Sequence, residues 1–171
     1  MTKTIVYIDV DGVINSFHSS HKGTGWEGSW ELETVIGYKI HWYTDLVASI
    51  NELSKREDVE FKWLTTWQDK AVTDLCPALG IEGQYWDVLY AADQEDLFDL
   101  SNGWWKLRAI IKDYTEHQPD KVVWIDDDFK YEGNAMAWAS FMEETVHPVS
   151  PFTDWGMTKE EFNGIIEYIN S

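Results

Sequence analysis

Apolar positions along this chain alternate between two periods. Thr4 to Ile8 is an unbroken run of β-branched and aromatic residues, the pattern of a strand buried on both faces. Ser29 to Val35 and Tyr38 to Trp42 alternate instead, within a glycine-bearing stretch from Phe17 to Trp42, and predict a hairpin-like flap. From Tyr43 to Arg56 the period lengthens, with Leu46, Val47, Ile50 and Leu53 on one helical face. Val59 to Leu64 reads as a second core strand. Asp69 to Leu79 reads as a helix interrupted near Pro77 and stopped by Gly80. Tyr85 to Tyr90 predicts a third strand, Ala91 to Asn102 an acidic loop, and Gly103 to His117 a helix. Lys121 to Ile125 predicts a fourth strand, Tyr131 to Met142 a helix, and Thr145 to Val149 a short fifth strand. Thr158-Lys159-Glu160-Glu161 has the form of a capping box and opens a last helix to Ile169.

Strands alternating with helices predict an α/β fold: a three-layer α/β/α, doubly wound, mostly parallel sheet. No repeat, low-complexity tract or linker divides the chain. The expectation is one domain over residues 1–171, with 18–42 as a flap insertion.

Composition narrows the function. The chain has 171 residues, 11 of them Trp, and 44% apolar content, which suits a packed core. Its formal net charge is −18. That field repels nucleic-acid backbones and anionic membranes and favours bound cations, so no long nucleic-acid duplex and no membrane are expected as partners. Between Ala71 and Trp105 there is no Lys or Arg, and the acids of that run read first as a solvated face. The single cysteine, Cys76, allows no internal disulfide and reads as a buried structural thiol. With no signal segment and no long apolar run, a cytoplasmic protein is expected. The five histidines show no ligand spacing, which argues against zinc.

Chemistry collects at strand ends. The first strand runs into Asp9-Val10-Asp11-Gly12, and buried strands rarely end in two acids unless these are solvated, hydrogen-bonded or holding a cation. A solvated turn is the plain alternative. The second strand ends at Thr65-Thr66. Lys106 stands at a helix start, and the fourth strand ends in Asp126-Asp127-Asp128. In a doubly wound sheet these positions converge on one edge. Carboxylates from two strands suit Mg²⁺, and a hydroxyl and an ammonium beside them suit phosphate oxygens.

In that order, Asp9-x-Asp11-Gly12-Val13, Leu64-Thr65, Lys106 and Val122-Val123-Trp124-Ile125-Asp126-Asp127 resemble the motif set of the haloacid dehalogenase-like (HAD) phosphatases. Trp63 to Trp67 and Leu75 to Gly80 further resemble a subgroup predicted to act in nucleic-acid repair. The resemblance implies Asp9 as nucleophile, Asp11 as general acid and base, Thr65 on a phosphoryl oxygen and Lys106 as the neutralising cation. It implies Mg²⁺ held by Asp9, Asp127 and the main-chain carbonyl of Asp11, with Asp126 as a further ligand or a support. Thr66 could replace Thr65, and Asp128 competes with its two neighbours. A receiver domain uses similar residues, but in another order.

The intervals between motifs leave no room for a large cap, so the flap must cover the site. The expected function is Mg²⁺-dependent phosphomonoester hydrolysis through an aspartyl-phosphate. The substrate would be a small phosphate ester or nucleotide, or a nucleic-acid terminal phosphate. The alternative is a non-catalytic binding or regulatory module on the same fold. Trp26, Trp30, Trp42 and Trp67 could stack on a base, although core and hairpin packing is the expected role of each.

Overall fold

The computed structural model describes residues 3–18, 23–92, 96–97 and 103–171. Five parallel strands form the main sheet: β1 (Thr4–Ile8), β4 (Val59–Trp63), β5 (Asp87–Val88), β6 (Lys121–Ile125) and β7 (Val146–Val149). Their order is β5-β4-β1-β6-β7, so the chain leaves β1 first to one side and later to the other. The edge where the strand order reverses lies at the carboxyl end of β1. Register then aligns the strand ends: Ile8 pairs with both Trp63 and Ile125. Asp9, Leu64 and Asp126 therefore leave the sheet at one level.

Alternation along the strands assigns the faces. Val6, Ile8, Phe61, Trp63, Val123 and Ile125 join one core, with the inward stripes of α1 (Thr44–Ser54) and α5 (Lys159–Asn170). Ile5, Tyr7, Val122 and Trp124 join the other, under α3 (Trp105–His117) and α4 (Gly133–Phe141). Asp9 follows the Ile5–Tyr7 series, and Asp126 follows Val122–Trp124. Both are thereby aimed at the α3 side of the sheet. α5 opens with the expected capping box, Thr158 accepting from the Glu161 N–H and Glu161 accepting from the Thr158 N–H.

A separate antiparallel pair, β2 (Trp30–Val35) and β3 (Tyr38–Tyr43), forms the hairpin, turned at Ile36-Gly37 with positive φ at both residues. It extends one residue beyond the predicted end. Residues 19–22 of the expected flap, and 93–95 and 98–102 of the expected acidic loop, lie outside the described residues.

Three predicted elements differ in detail. The third strand shrinks from Tyr85–Tyr90 to Asp87–Val88, because residues 84–86 are spent in a turn that lays Trp86 against Phe61 and Trp63. The helix across 69–79 is continuous but contains a π-helical stretch, Ala71–Leu75, followed by α2 (Cys76–Leu79). Pro77 has no N–H to donate, and the wider turn, with the Cys76 N–H reaching Ala71 O, absorbs that loss. Gly80 then stops the helix in the left-handed region, and Cys76 is buried, its thiol pushed up to about 11 by burial. The helix predicted from Tyr131 begins two residues later, as α4 at Gly133, after a 3₁₀ turn over Phe129–Tyr131. Among the described residues no helix is long and apolar enough to cross a membrane.

Candidate active site

The site begins with one lysine between two acids. The Lys106 ammonium lies 2.6 Å from Asp9 Oδ2 and 2.6 Å from Asp126 Oδ2, and all three side chains are buried. Lys106 sits in the first turn of α3, where the helix dipole disfavours a cation. Its partners override that local preference. Burial pulls the ammonium pKa down, but attraction to Asp126 and Asp9 outweighs burial and holds it above the ordinary lysine value. Asp9 is fixed from the other side by the Val10 N–H, 2.7 Å from Oδ1, and Asp126 Oδ1 accepts from the Asp128 N–H at 3.0 Å.

Asp127 joins this pair. Asp9, Asp126 and Asp127 each offer an oxygen, all within 4.8 Å of one another, the one such group among the described residues. Three carboxylates against one ammonium leave a formal charge of −2 in a buried place. Burial, followed by repulsion from Asp128 and Asp9, pushes Asp127 up to about 6 despite the hydrogen bond from Thr153 Oγ1 at 2.6 Å. Burial likewise raises Asp126. Such a surplus of desolvated oxygen ligands fits a hard divalent cation, which would relieve the repulsion that adds to burial in raising these pKa values.

Gly12 is needed here for two reasons. Its φ of +70° is left-handed, and a Cβ at that position would lie 2.2 Å from Asp127 Cγ. The glycine of the Asp-x-Asp-Gly turn thus makes room for an acid from a different strand.

Asp11 is held apart from the three-acid group. Asn15 Nδ2 donates to its Oδ1 at 2.8 Å, and the Trp67 indole donates to its Oδ2 at 2.9 Å. Burial raises its pKa, while those two donors pull it down. Both donors touch the hairpin: Asn15 Oδ1 accepts from the His41 N–H at 2.9 Å, and the Trp67 ring meets Tyr38 edge-on at 5.7 Å.

A cavity of about 550 Å³ opens over the group, lined by Asp9, Asp11, Lys106 and Asp127, with Asp128 and Thr66 further out. Asp126 lies beneath, fully buried. Of the two threonines, Thr66 lines the cavity; Thr65 is fully buried, its hydroxyl accepting from the Trp67 N–H at 3.3 Å. Asp9, Asp11, Lys106, Asp126 and Asp127 are therefore brought together, and Thr65 stands behind the wall. Sequence reasoning missed Thr153, Asn15, and the cavity-lining aromatics Phe17, Trp104 and Tyr131. Thr153 follows the end of β7, so extending the strand-end rule to the fifth strand would have found it. The tryptophans singled out earlier pack as expected: Trp26, Trp30 and Trp42 lie against the core.

A switch-point cluster of strand-end carboxylates answered by a lysine from the following helix layer defines a HAD-like domain. More narrowly, residues 5–162 match the family described as the HAD domain in Swiss Army Knife RNA repair proteins, and the chain belongs to that family. In three dimensions the chain is similar to the HAD domain of the effector protein Lem4 from Legionella pneumophila, with a TM-score of 0.60 at 14% identity, over 99% of this chain and 96% of that one. At that identity the likeness speaks for the fold. No curated protein matches the chain in sequence.

Proposed function

We propose that this chain is a Mg²⁺-dependent phosphomonoester hydrolase that works through an aspartyl-phosphate. The observation that carries the reading is the buried group of Asp9, Asp126 and Asp127 around Lys106, opening on a cavity that also holds Asp11. Asp9 and Asp127, with the Asp11 carbonyl, would hold Mg²⁺, and Asp126 would support them. The ion would supply charge neutralisation for the phosphoryl oxygens.

The chain's own residues account for the rest. An Asp9 oxygen attacks phosphorus while the ester P–O bond breaks, and Asp11 gives its proton to the departing oxygen. Asp11, now a carboxylate, takes a proton from water. The water oxygen bonds to phosphorus, the P–O bond to Asp9 breaks, and inorganic phosphate leaves. A carboxyl raised by burial suits the donor step, and its two fixed hydrogen bonds keep it in reach. Lys106 holds Asp9 oriented and balances charge. Thr66, which lines the cavity, is the better placed of the two threonines to contact a phosphoryl oxygen. The hairpin would act as the flap, since both residues that hold Asp11 also touch it.

Membership in a family described by RNA repair supports a nucleotide or a nucleic-acid terminal phosphate as substrate. The test is phosphate release from a panel of mononucleotides, 3′- and 5′-phosphorylated oligonucleotides, sugar phosphates and a phosphopeptide. Release that requires Mg²⁺ and disappears in Asp9→Asn is expected. No release from any ester with Mg²⁺ bound contradicts the reading.

A further inference from the structure

We propose that Phe17 and Tyr131 form a nucleobase-stacking subsite at the rim of the carboxylate cavity, recognising a nucleoside through its base while the phosphate sits at Asp9 and Lys106. The proposal rests on the reading of this cavity as a phosphomonoester site.

Two large aromatic side chains lie open in the same cavity as the acids. Phe17 is 53% exposed and Tyr131 is 70% exposed, and both line its wall. Single exposed aromatics are ordinary on a protein surface, but two sharing a polar cleft give it π faces that water serves poorly. They are also attached to the chemistry by short stretches of chain. Phe17 follows the Asp11 turn, which is pinned by Asn15, and Tyr131 ends the 3₁₀ turn that leaves Asp126-Asp127-Asp128. The other aromatics near the site are already engaged. Trp67 donates to Asp11, Trp104 stacks on Trp124 at 5.3 Å, and Trp30 stacks on His41 at 4.6 Å. Lys130 lies 5.3 Å from the centre of the Tyr131 ring and donates to Pro151 O, which steadies that ring from one side.

Charge indicates what these rings receive. Asp9, Asp11, Asp127, Asp128 and Glu132 line the cavity against Lys106. A ligand that places several phosphates within the mouth itself is repelled there, so affinity beyond the one bound phosphate must come from an uncharged group. A nucleobase has that character, and stacking on an aromatic side chain is tolerant of base identity. A bare sugar phosphate offers the rings nothing comparable. Chemically, the ligand is a base joined through a sugar to one terminal phosphate, either free or at a strand end.

The experiment compares binding, by calorimetry with Mg²⁺, of non-hydrolysable methylenephosphonate analogues of adenosine 3′- and 5′-monophosphate and of ribose 5-phosphate. At least one adenosine analogue should bind about tenfold tighter than the ribose analogue, a stacking contribution of ordinary size. Phe17→Ala and Tyr131→Ala should each erase most of that preference, while Tyr131→Phe keeps it. Equal binding of base-bearing and base-free analogues, no binding of either, or a preference untouched by both alanine variants overturns the subsite. A short oligoribonucleotide ending in the same phosphonate separates the sources, and both results retain the subsite: equal or tighter binding marks a strand end, weaker binding a free nucleotide. Hydrolysis of ribose 5-phosphate is measured separately. Its presence without base preference removes the subsite and leaves the phosphatase reading. Base preference without hydrolysis of any ester does the reverse.

Discussion

Two lysines are buried between the sheet and α3, and they differ in what surrounds them. Lys62 on β4 pairs with Tyr7 on β1 across the sheet, and its ammonium lies 2.9 Å from Asp113 of α3, with Glu60 at 3.5 Å and Asp87 at 3.8 Å. The Tyr7 hydroxyl donates to the other oxygen of Asp113 at 2.7 Å. Lys106 also meets acids from two elements, at the strand ends. By count, both lysines are outnumbered. The difference is solvent: the side chains of Glu60 and Asp87 are 37% and 71% exposed, so only Asp113, at 14%, is largely desolvated beside Lys62. Around Lys106 all three acids of the group are buried. One rung is a closed ion pair with a phenol, held protonated by burial and by Asp113, and it ties α3 to the sheet. The other keeps uncompensated negative charge and opens on a cavity. Surplus buried charge, rather than a buried ion pair as such, marks the site.

Asp9→Asn should produce the largest change. Turnover is expected to fall about 10⁴-fold or more, because the substitution removes the proposed nucleophile. The metal-free protein should keep or gain stability, since a repelling charge leaves the group. The matching change in the closed rung has the opposite signature. Asp113→Asn or Asp113→Ala leaves Lys62 buried without its nearest counter-charge, and about 3–5 kcal/mol of stability should be lost in denaturant titrations. If both substitutions destabilise equally, the distinction between the rungs fails.

Gly12→Ala sharpens the same contrast. The added Cβ would stand 2.2 Å from Asp127 Cγ in a left-handed backbone. Strain of about 1–2 kcal/mol is expected from the backbone alone, and Mg²⁺ affinity measured by calorimetry should drop at least tenfold, on the order of a lost supporting contact. Unchanged Mg²⁺ affinity would remove Asp127 from the metal site.

Acidity probes the open rung. Asp127 has its folded-state pKa raised to about 6, above its unfolded value. Its contribution to stability is therefore present below about pH 4 and lost as pH rises through about 6. Metal-free protein should gain stability on acidification across that window, and Mg²⁺ should raise the melting temperature more at pH 7 than at pH 5. A melting temperature that falls across that window in metal-free protein, with an equal Mg²⁺ increment at both pH values, would contradict the surplus-charge account.

The smallest effect concerns the hold on Asp11. Trp67→Phe keeps an aromatic ring, smaller than the indole, and removes one donor. A loss in kcat of about tenfold, with KM little changed, is expected if the role proposed for Asp11 holds. Tyr7→Phe in the closed rung should cost about 1 kcal/mol and leave kcat alone.

Much of this was legible in the chain itself. The β1 run ending in Asp9 and Asp11, the β6 run ending in the acidic triplet, and the capping box of α5 are local patterns, and local patterns are what periodicity and strand-end logic read. Lys106 was legible through its place at a helix start. The Thr65–Thr66 ambiguity needed coordinates, because one step along the chain exchanges the core for the cavity. Thr153, Asn15 and the second lysine were hidden for a different reason. Their meaning lies in long-range pairing: Thr153 with Asp127, Asn15 with both Asp11 and His41, and Lys62 with Asp113. Likewise, the brevity of β5 follows from how Trp86 packs, which no period in the sequence announces.

The central claim is that Asp9, within the open rung, becomes phosphorylated during turnover. The most direct measurement is acid quenching of the protein with Mg²⁺ and a hydrolysable phosphate ester, followed by mass spectrometry of its peptides. A phosphoryl group on Asp9, absent without Mg²⁺ and absent in Asp9→Asn, is the predicted result. Sustained phosphate release with Asp9 unmodified throughout, or with the phosphoryl group on another residue, would contradict it.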